Sequence, residues 1–226
     1  MNLNFQHYIF DLDKTLYSPN LMFFDLQLNS MSKFMVDKLN ITMEEANILR
    51  EEYYHDFGTT MHGLMHKHGI DPKEFLAATD NVPLDRLIKD DTLLNLLSML
   101  KTNNKHLAVL TNGSRFHTRR VMKKLGVDKI ITDVATLECM NFVPKPDPAS
   151  YKYCFDTFNI DPKLSVFFED SSHNLVPAKK YGVTTVLVNA HESSYERFFD
   201  HPEIDYLVQD ITAFLQGNFL ETRVQN

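Results

Sequence analysis

Apolar residues fall along this chain in two alternating rhythms. Short, nearly continuous apolar runs occur at 5–10 ("FQHYIF"), 106–111 ("HLAVLT"), 129–134 ("KIITDV"), 164–169 ("LSVFFE") and 183–188 ("VTTVLV"), with a weaker one at 205–208 ("DYLV"). Runs of that length and continuity predict parallel strands covered on both faces. Between them, apolar positions at helical spacing predict helices over about 91–101, 114–125, 148–158 and 173–181. Strand and helix in turn predict an α/β fold built on a doubly wound parallel sheet.

One interval breaks the rhythm. About 90 residues separate the first two strands, whereas a crossover needs only about a dozen. They read as helices over roughly 21–39, 43–56, 60–68 and 73–79. "IDPKEF" is a helix start, with Asp71 as N-cap, Pro72 at the first helical position and Glu74 three residues after the cap. The excess predicts an inserted helical subdomain, residues 18–85, over the edge where the first strand ends. Residues 1–17 and 86–226 then form the core. The polar tail after about 216 is expected to fray.

Composition narrows the class. The 226 residues suit one domain with a smaller insertion. A net charge of −7 makes nucleic acid a poor partner, while a small anionic substrate would need local positive charge or a metal. No apolar run approaches the roughly 18 residues of a membrane span, and the N-terminus lacks the pattern of a signal peptide. Only Cys139 and Cys154 occur, without metal-like spacing, so a cytoplasmic setting is expected.

Candidate chemistry clusters after the predicted strands. Asp11 and Asp13, in "DLDKT", follow the first. Held close, two carboxylates repel, and a proton or a hard cation such as Mg2+ must neutralise one of them. Thr111-Asn112-Gly113-Ser114 closes the second strand, where free backbone N–H groups can hold a phosphate and where Ser114 can equally be a plain N-cap. Lys145 sits between prolines in "VPKPDP", which fix where it points. Glu169 and Asp170 end the "LSVFFE" run. In a parallel sheet these ends lie along one edge, so all four features converge on one site.

In that order, D-x-D-x-T, strand-Thr-Asn, Lys-Pro and strand-Glu-Asp resemble the haloacid dehalogenase superfamily of phosphohydrolases over about residues 5–190. The resemblance implies a Rossmann-like core, a helical cap and aspartyl-phosphate chemistry. It makes Asp11 the nucleophile and Asp13 the general acid and base, with Thr111 and Lys145 on the phosphoryl group. It gives Mg2+ to Asp11, Asp13 (through its carbonyl) and Asp170, with Glu169 beside it. Thr15, Asn112 and Gly113 join the phosphate surround, and Asn174 orients Lys145. An acid at position 13 favours phosphate esters over halides, because a halide leaves without a proton.

The cap stretch "YYHDFGTTMHGLMHKHGIDPKEF" is similar to the pyrimidine 5′-nucleotidase group. That implies a nucleoside 5′-monophosphate as partner, with Phe57 stacking on the base and Thr59 or Thr60 bonding the sugar or base edge. A helix–helix turn with a core aromatic reads equally well. Sugar-phosphate phosphatase, phosphomutase and inactive nucleotide binder are the alternatives, and the chain is expected to be a monomer or homodimer. Other features read as structural. His62, His66 and His68 lack a further ligand type; Arg115, His117, Arg119 and Arg120 are mostly a solvated face; Cys139 shows no sign of thiolate activation; the insertion's methionines are core.

Overall fold

A computed structural model describes residues 5–188 and 198–222. Its centre is a seven-stranded sheet in the order β3-β2-β1-β4-β5-β6-β7. The strands are β1 (His7–Phe10), β2 (His106–Leu110), β3 (Asp133–Ala135), β4 (Ser165–Glu169), β5 (Thr184–Leu187), β6 (Tyr206–Leu207) and β7 (Glu221–Thr222). Every neighbouring pair is parallel except β6 with β7. β1 lies between β2 and β4, so the winding reverses there. Crevices at such a reversal, beyond the carboxyl ends of the strands, are where open α/β sheets bind ligands.

The continuous apolar runs follow from cover on both faces. Tyr8, Phe10, Leu107, Val109, Val166 and Phe168 point into one core, with helices α5 (Asp91–Thr102) and α6 (Arg115–Leu125). Ile9, Ala108, Leu110 and Phe167 point into the other, under α7 (Pro148–Thr157) and α8 (Ser172–Lys179). Phe10 and Phe168 stack at 5.1 Å across the central pair. No helix among the described residues is long and apolar enough to cross a membrane.

Between β1 and β2 stand α1 (Phe23–Leu39), α2 (Met43–Phe57), α3 (Thr60–His68) and α4 (Pro72–Thr79). They share a separate apolar cluster of Phe34, Met35, Tyr53, Met61, Leu64 and Phe75, into which Leu137 of the core also packs. Thr42 and Glu45 form a reciprocal capping box on α2. Asp71 caps α4 through the Lys73 N–H, but Glu74 pairs with Lys38 of α1 instead of closing a second box.

Two expectations change. The predicted strand at 129–134 is mostly a turn. The N–H groups of Ile130 and Ile131 both donate to the Val127 carbonyl, which buries Ile131 after α6 and leaves pairing to Asp133–Ala135. The tail does not fray at 216: Leu220 N–H donates to Leu207 and β7 closes antiparallel on β6. Residues 223–226 lie outside the described chain.

α2 and α3 approach closely at Gly63, where an added Cβ would overlap Cβ and Cγ of Tyr53, atoms too near the backbone to swing aside. Alanine gains about 1 kcal/mol of helix propensity but overpacks by about 1–3 kcal/mol. Gly63→Ala is therefore expected to lower stability by up to about 2 kcal/mol in urea unfolding. A stabilised variant would show that the helices simply spread.

Candidate active site at the carboxyl edge of the sheet

The site begins where β1 ends. The Asp11 N–H still bonds the Phe168 carbonyl at 2.9 Å, so Asp11 extends the pairing with β4. The chain then turns tightly, with Leu16 N–H on the Leu12 carbonyl and Lys14 in the left-handed region at φ 62°. That turn brings Asp13 back beside Asp11 over the strand ends.

Lys145 arrives from the loop before α7, fully buried. Its Nζ donates to Asp11 Oδ1 at 2.7 Å, Glu169 Oε2 at 2.6 Å and the Leu110 carbonyl at 2.9 Å. An ammonium has three donors, and all three are used. The backbone of Lys145 is clamped as well: Asn112 donates Nδ2–H to its carbonyl and accepts its N–H. The Lys145–Pro146 bond is cis. Gly58, the left-handed C-cap of α2 at φ 77°, presses on this loop, so closely that a Cβ would lie 2.8 Å from the Lys145 carbonyl oxygen. The helical insertion thus touches the loop that carries the lysine.

Oxygens of Asp11, Glu169 and Asp170 lie within 4.8 Å of one another. Burial pushes the Asp11 carboxyl up to about 6; the Lys145 charge opposes this and Asp170 adds to it. Burial, then Asp11, raises Glu169 well above the usual range. Burial would lower Lys145, but Asp11 and Glu169 outweigh it and hold the ammonium charged. These directions agree once charges are counted: one ammonium cannot balance two buried carboxylates with Asp170 alongside. Lys14 pairs with Asp170 at 2.8 Å but is partly exposed, so solvent screens it. The group is short of positive charge and all its donors are hard oxygens, the donor set that suits Mg2+.

Asp13 has a partner that the sequence reading placed on the solvated face. His117 is buried, and its Nε2 lies 2.9 Å from both Asp13 oxygens; Tyr17 donates to Oδ1 at 2.7 Å. Burial alone would raise Asp13, but His117's charge and hydrogen bond, with that of Tyr17, carry it below its ordinary value. Burial would lower His117, and Asp13 raises it instead. The signal was in the helix period. His117, Thr118, Val121, Met122 and Leu125 form the buried stripe of α6, while Arg115 and Arg119 face solvent. Arg120 is half-buried and donates to the Asp80 and Val82 carbonyls.

A cavity of about 460 Å3 opens above these groups, between the insertion and the sheet edge. Asp11, Asp13, Thr111, Lys145, Glu169 and Asp170 all reach it, as do Asn112, Gly113, Thr59, Thr60 and Asn174. Thr15 and Phe57 do not line it. The Thr15 hydroxyl is buried, and Phe57 stacks on His66 at 5.6 Å and meets Tyr53 edge-on. Phe24 and Tyr54 are aromatic rings of the wall instead. The Gly113 N–H is not free, since it donates to Thr111 Oγ1. Nor does Asn174 take part in the bonds that orient Lys145 Nζ. Thr59 caps α3 through the His62 N–H, and Thr60 donates to the Arg50 carbonyl. Ser114 caps α6 and also bonds Asp80, a buried acid at the end of α4 that sequence reading missed.

Away from the cavity, His62 and His66 bond each other at 3.2 Å and His68 bonds Tyr53. They join no group of three potential metal ligands among the described residues. Burial pushes the Cys139 thiol up, but hydrogen bonds from Thr136 and Arg115 bring it below its ordinary value.

The profile of the haloacid dehalogenase-like hydrolases matches residues 8–188, and the chain belongs to that family. It is 27% identical over 208 residues to Phosphate metabolism protein 8 of Saccharomyces cerevisiae, covering 84% of this chain but only 63% of the yeast protein. It is 27% identical over 216 residues to the glyceraldehyde 3-phosphate phosphatase of Methanocaldococcus jannaschii, covering 90% and 92%. Among solved structures, CbbY from Rhodobacter sphaeroides in complex with phosphate superposes with a TM-score of 0.65 at 18% identity, over 93% of this chain and 96% of that one. A likeness at that identity bears on the fold alone.

The Asp13–His117 pair makes stability depend on pH with a definite sign. Asp13 is lowered, so its contribution is present above the ordinary 3.8 and fades as pH falls through its folded value. His117 is raised, so its contribution is complete below the ordinary 6.5 and fades as pH rises through its folded value. His117→Gln keeps a neutral donor and should cost about 1 kcal/mol between those limits. Denaturant titrations at several pH values should show that gap narrowing on the alkaline side. A gap constant from about pH 5 to about pH 9 would refute the charged pair.

Proposed function

We propose that this chain is a Mg2+-dependent phosphomonoesterase whose nucleophile is Asp11, with residues 18–85 as the cap over its site. The observation that carries this is the meeting of Asp11, Lys145, Glu169 and Asp170 beneath a cavity that Asp13 also enters. Asp11, Asp170 and the Asp13 backbone carbonyl would hold the ion. When bound, Mg2+ offsets the repulsion between Asp11 and a phosphate dianion.

The chain's own residues do the rest. An Asp11 oxygen attacks phosphorus, the ester P–O bond breaks and its electron pair leaves on the alkoxide. The Asp13–His117 pair carries one proton, and Asp13 delivers it to that oxygen. Water then attacks the acyl phosphate, Asp13 receives its proton, and the P–O bond to Asp11 breaks. Thr111, whose hydroxyl only accepts from the Gly113 N–H, would donate to an equatorial phosphoryl oxygen, while Lys145, its three N–H groups already engaged, would contribute its nearby positive charge.

For the leaving group we favour a nucleoside 5′-monophosphate, pyrimidine by resemblance. Phe24 and Tyr54 line the cavity wall, beside Gln27 and Arg50. Phe57, packed into the insertion, does not serve as the base platform. A small phosphorylated carbohydrate is the second reading, favoured by the relative from Methanocaldococcus jannaschii that matches most of both chains.

A phosphate-release screen with Mg2+ across nucleoside monophosphates, glyceraldehyde 3-phosphate and p-nitrophenyl phosphate tests both. Turnover is expected to be highest on a nucleotide, and formation of an isomer without free phosphate would point to a mutase. Asp11→Asn should lower kcat by about 10³-fold or more on every substrate; undiminished turnover removes the covalent route. Chelation should abolish activity and added Mg2+ restore it, while activity that survives EDTA excludes the metal assignment.

A further inference from the structure

His62, His66 and His68 of the insertion take no part in the site above. His68 is engaged by Tyr53, but His62 and His66 turn their ring tips towards each other. They lie four apart on α3, the spacing that puts two side chains on one helix face and that helical zinc sites use. Nε2 lies 3.2 Å from Nε2, and the contact is exposed to solvent. Two nitrogens on one ion, each at about 2.0–2.1 Å, stand roughly 2.9–3.4 Å apart for angles from square to tetrahedral.

Phe57 holds both rings. Its carbonyl can only accept, so at 3.2 Å it takes the Nδ1–H of His62. The Nε2 of a neutral His62 is then a lone pair aimed at His66. The Phe57 ring stacks on the His66 ring at 5.6 Å, the planes 18° apart. A neutral His66 with its proton on Nδ1 presents a second lone pair at the same point. A ring N–H on a backbone carbonyl is the outer contact that fixes the tautomer of a metal-binding histidine. Ligands held in advance also lose less freedom on binding.

We propose that His62 and His66 form a chelating site for a borderline divalent ion: Zn2+, Ni2+ or Cu2+. Water completes the shell, since the described residues supply no third ligand. Paired imidazoles suit these ions, whereas the oxygens of Asp11, Glu169 and Asp170 suit Mg2+, so ligand chemistry separates the two sites. The site is independent of the hydrolase reading. An ion held there bridges one turn of α3 and binds the native helix in preference to the unfolded chain, so it stabilises the fold.

The test titrates the untagged full chain with Ni2+ in excess Mg2+, by calorimetry and by thermal unfolding. The wild type should bind Ni2+, and its Tm should rise with Ni2+ concentration. His62→Gln and His66→Gln should each weaken binding at least roughly 10-fold and lose that rise. His55→Gln, at an exposed histidine of α2, should change neither. Asp170→Asn should keep the Ni2+ event. A wild type that binds no Ni2+ beside Mg2+ overturns the proposal, whether or not the variants fold. So does an affinity unchanged in His66→Gln. A Ni2+ event lost in Asp170→Asn assigns the ion to the carboxylates and overturns it as well.

Discussion

The buried ammonium of Lys145 is the contact on which the site depends. Removing an ammonium from water costs several kcal/mol, and it is tolerated only when every donor is met and opposite charge is near. Asp11, Glu169 and the Leu110 carbonyl meet both conditions. They come from the ends of β1, β4 and β2, three strands adjacent in the sheet. The requirement therefore runs both ways: the register of the central strands places the acceptors, and the lysine screens the carboxylates those strands bring together. Without it, Asp11 and Glu169 would face each other with no positive charge nearer than Lys14, which pairs with Asp170.

Holding the lysine still requires its backbone to be held. Asn112 does this from the loop after β2, at a position that reads in sequence as part of a phosphate cradle. Its side chain mimics a peptide unit, donating to and accepting from Lys145. From above, Gly58 meets the same loop at a distance only glycine permits, in a conformation that favours glycine. The "FGTT" turn of the insertion thus matters less for its aromatic ring than for the residue that follows it. Phe57 is turned into the helical cluster, while Gly58 brings the insertion down onto the core.

Much of this was legible in the sequence because parallel sheets tie pattern to geometry. Apolar runs mark buried strands, and acids, a threonine and a lysine just beyond them must share an edge. The misreadings have a common cause. At 129–134 an apolar run predicts a strand, although burial in a turn gives the same composition. In "RFHTRR", charge was read as exposure, when the helical period put His117 on the stripe with Val121 and Leu125. Asp80 left no trace, because a single acid at a helix end looks like any other. Its meaning comes only from contacts with Ser114 and Gln27, which are distant in sequence.

Those contacts tie two parts of the molecule into one polar line. It starts at an ordinary N-cap, Ser114 on α6, whose hydroxyl accepts from the His117 backbone. The same histidine offers its ring to Asp13, and the same serine passes its proton to Asp80. One helix start therefore holds both the Asp13 carboxylate, through the His117 ring, and, through Asp80, the Gln27 side chain. Because each bond fixes the polarity of the next, a change at any member disturbs the others. The insertion is in this way coupled to the core by directed hydrogen bonds as well as by the packing of Leu137 and the approach of Gly58.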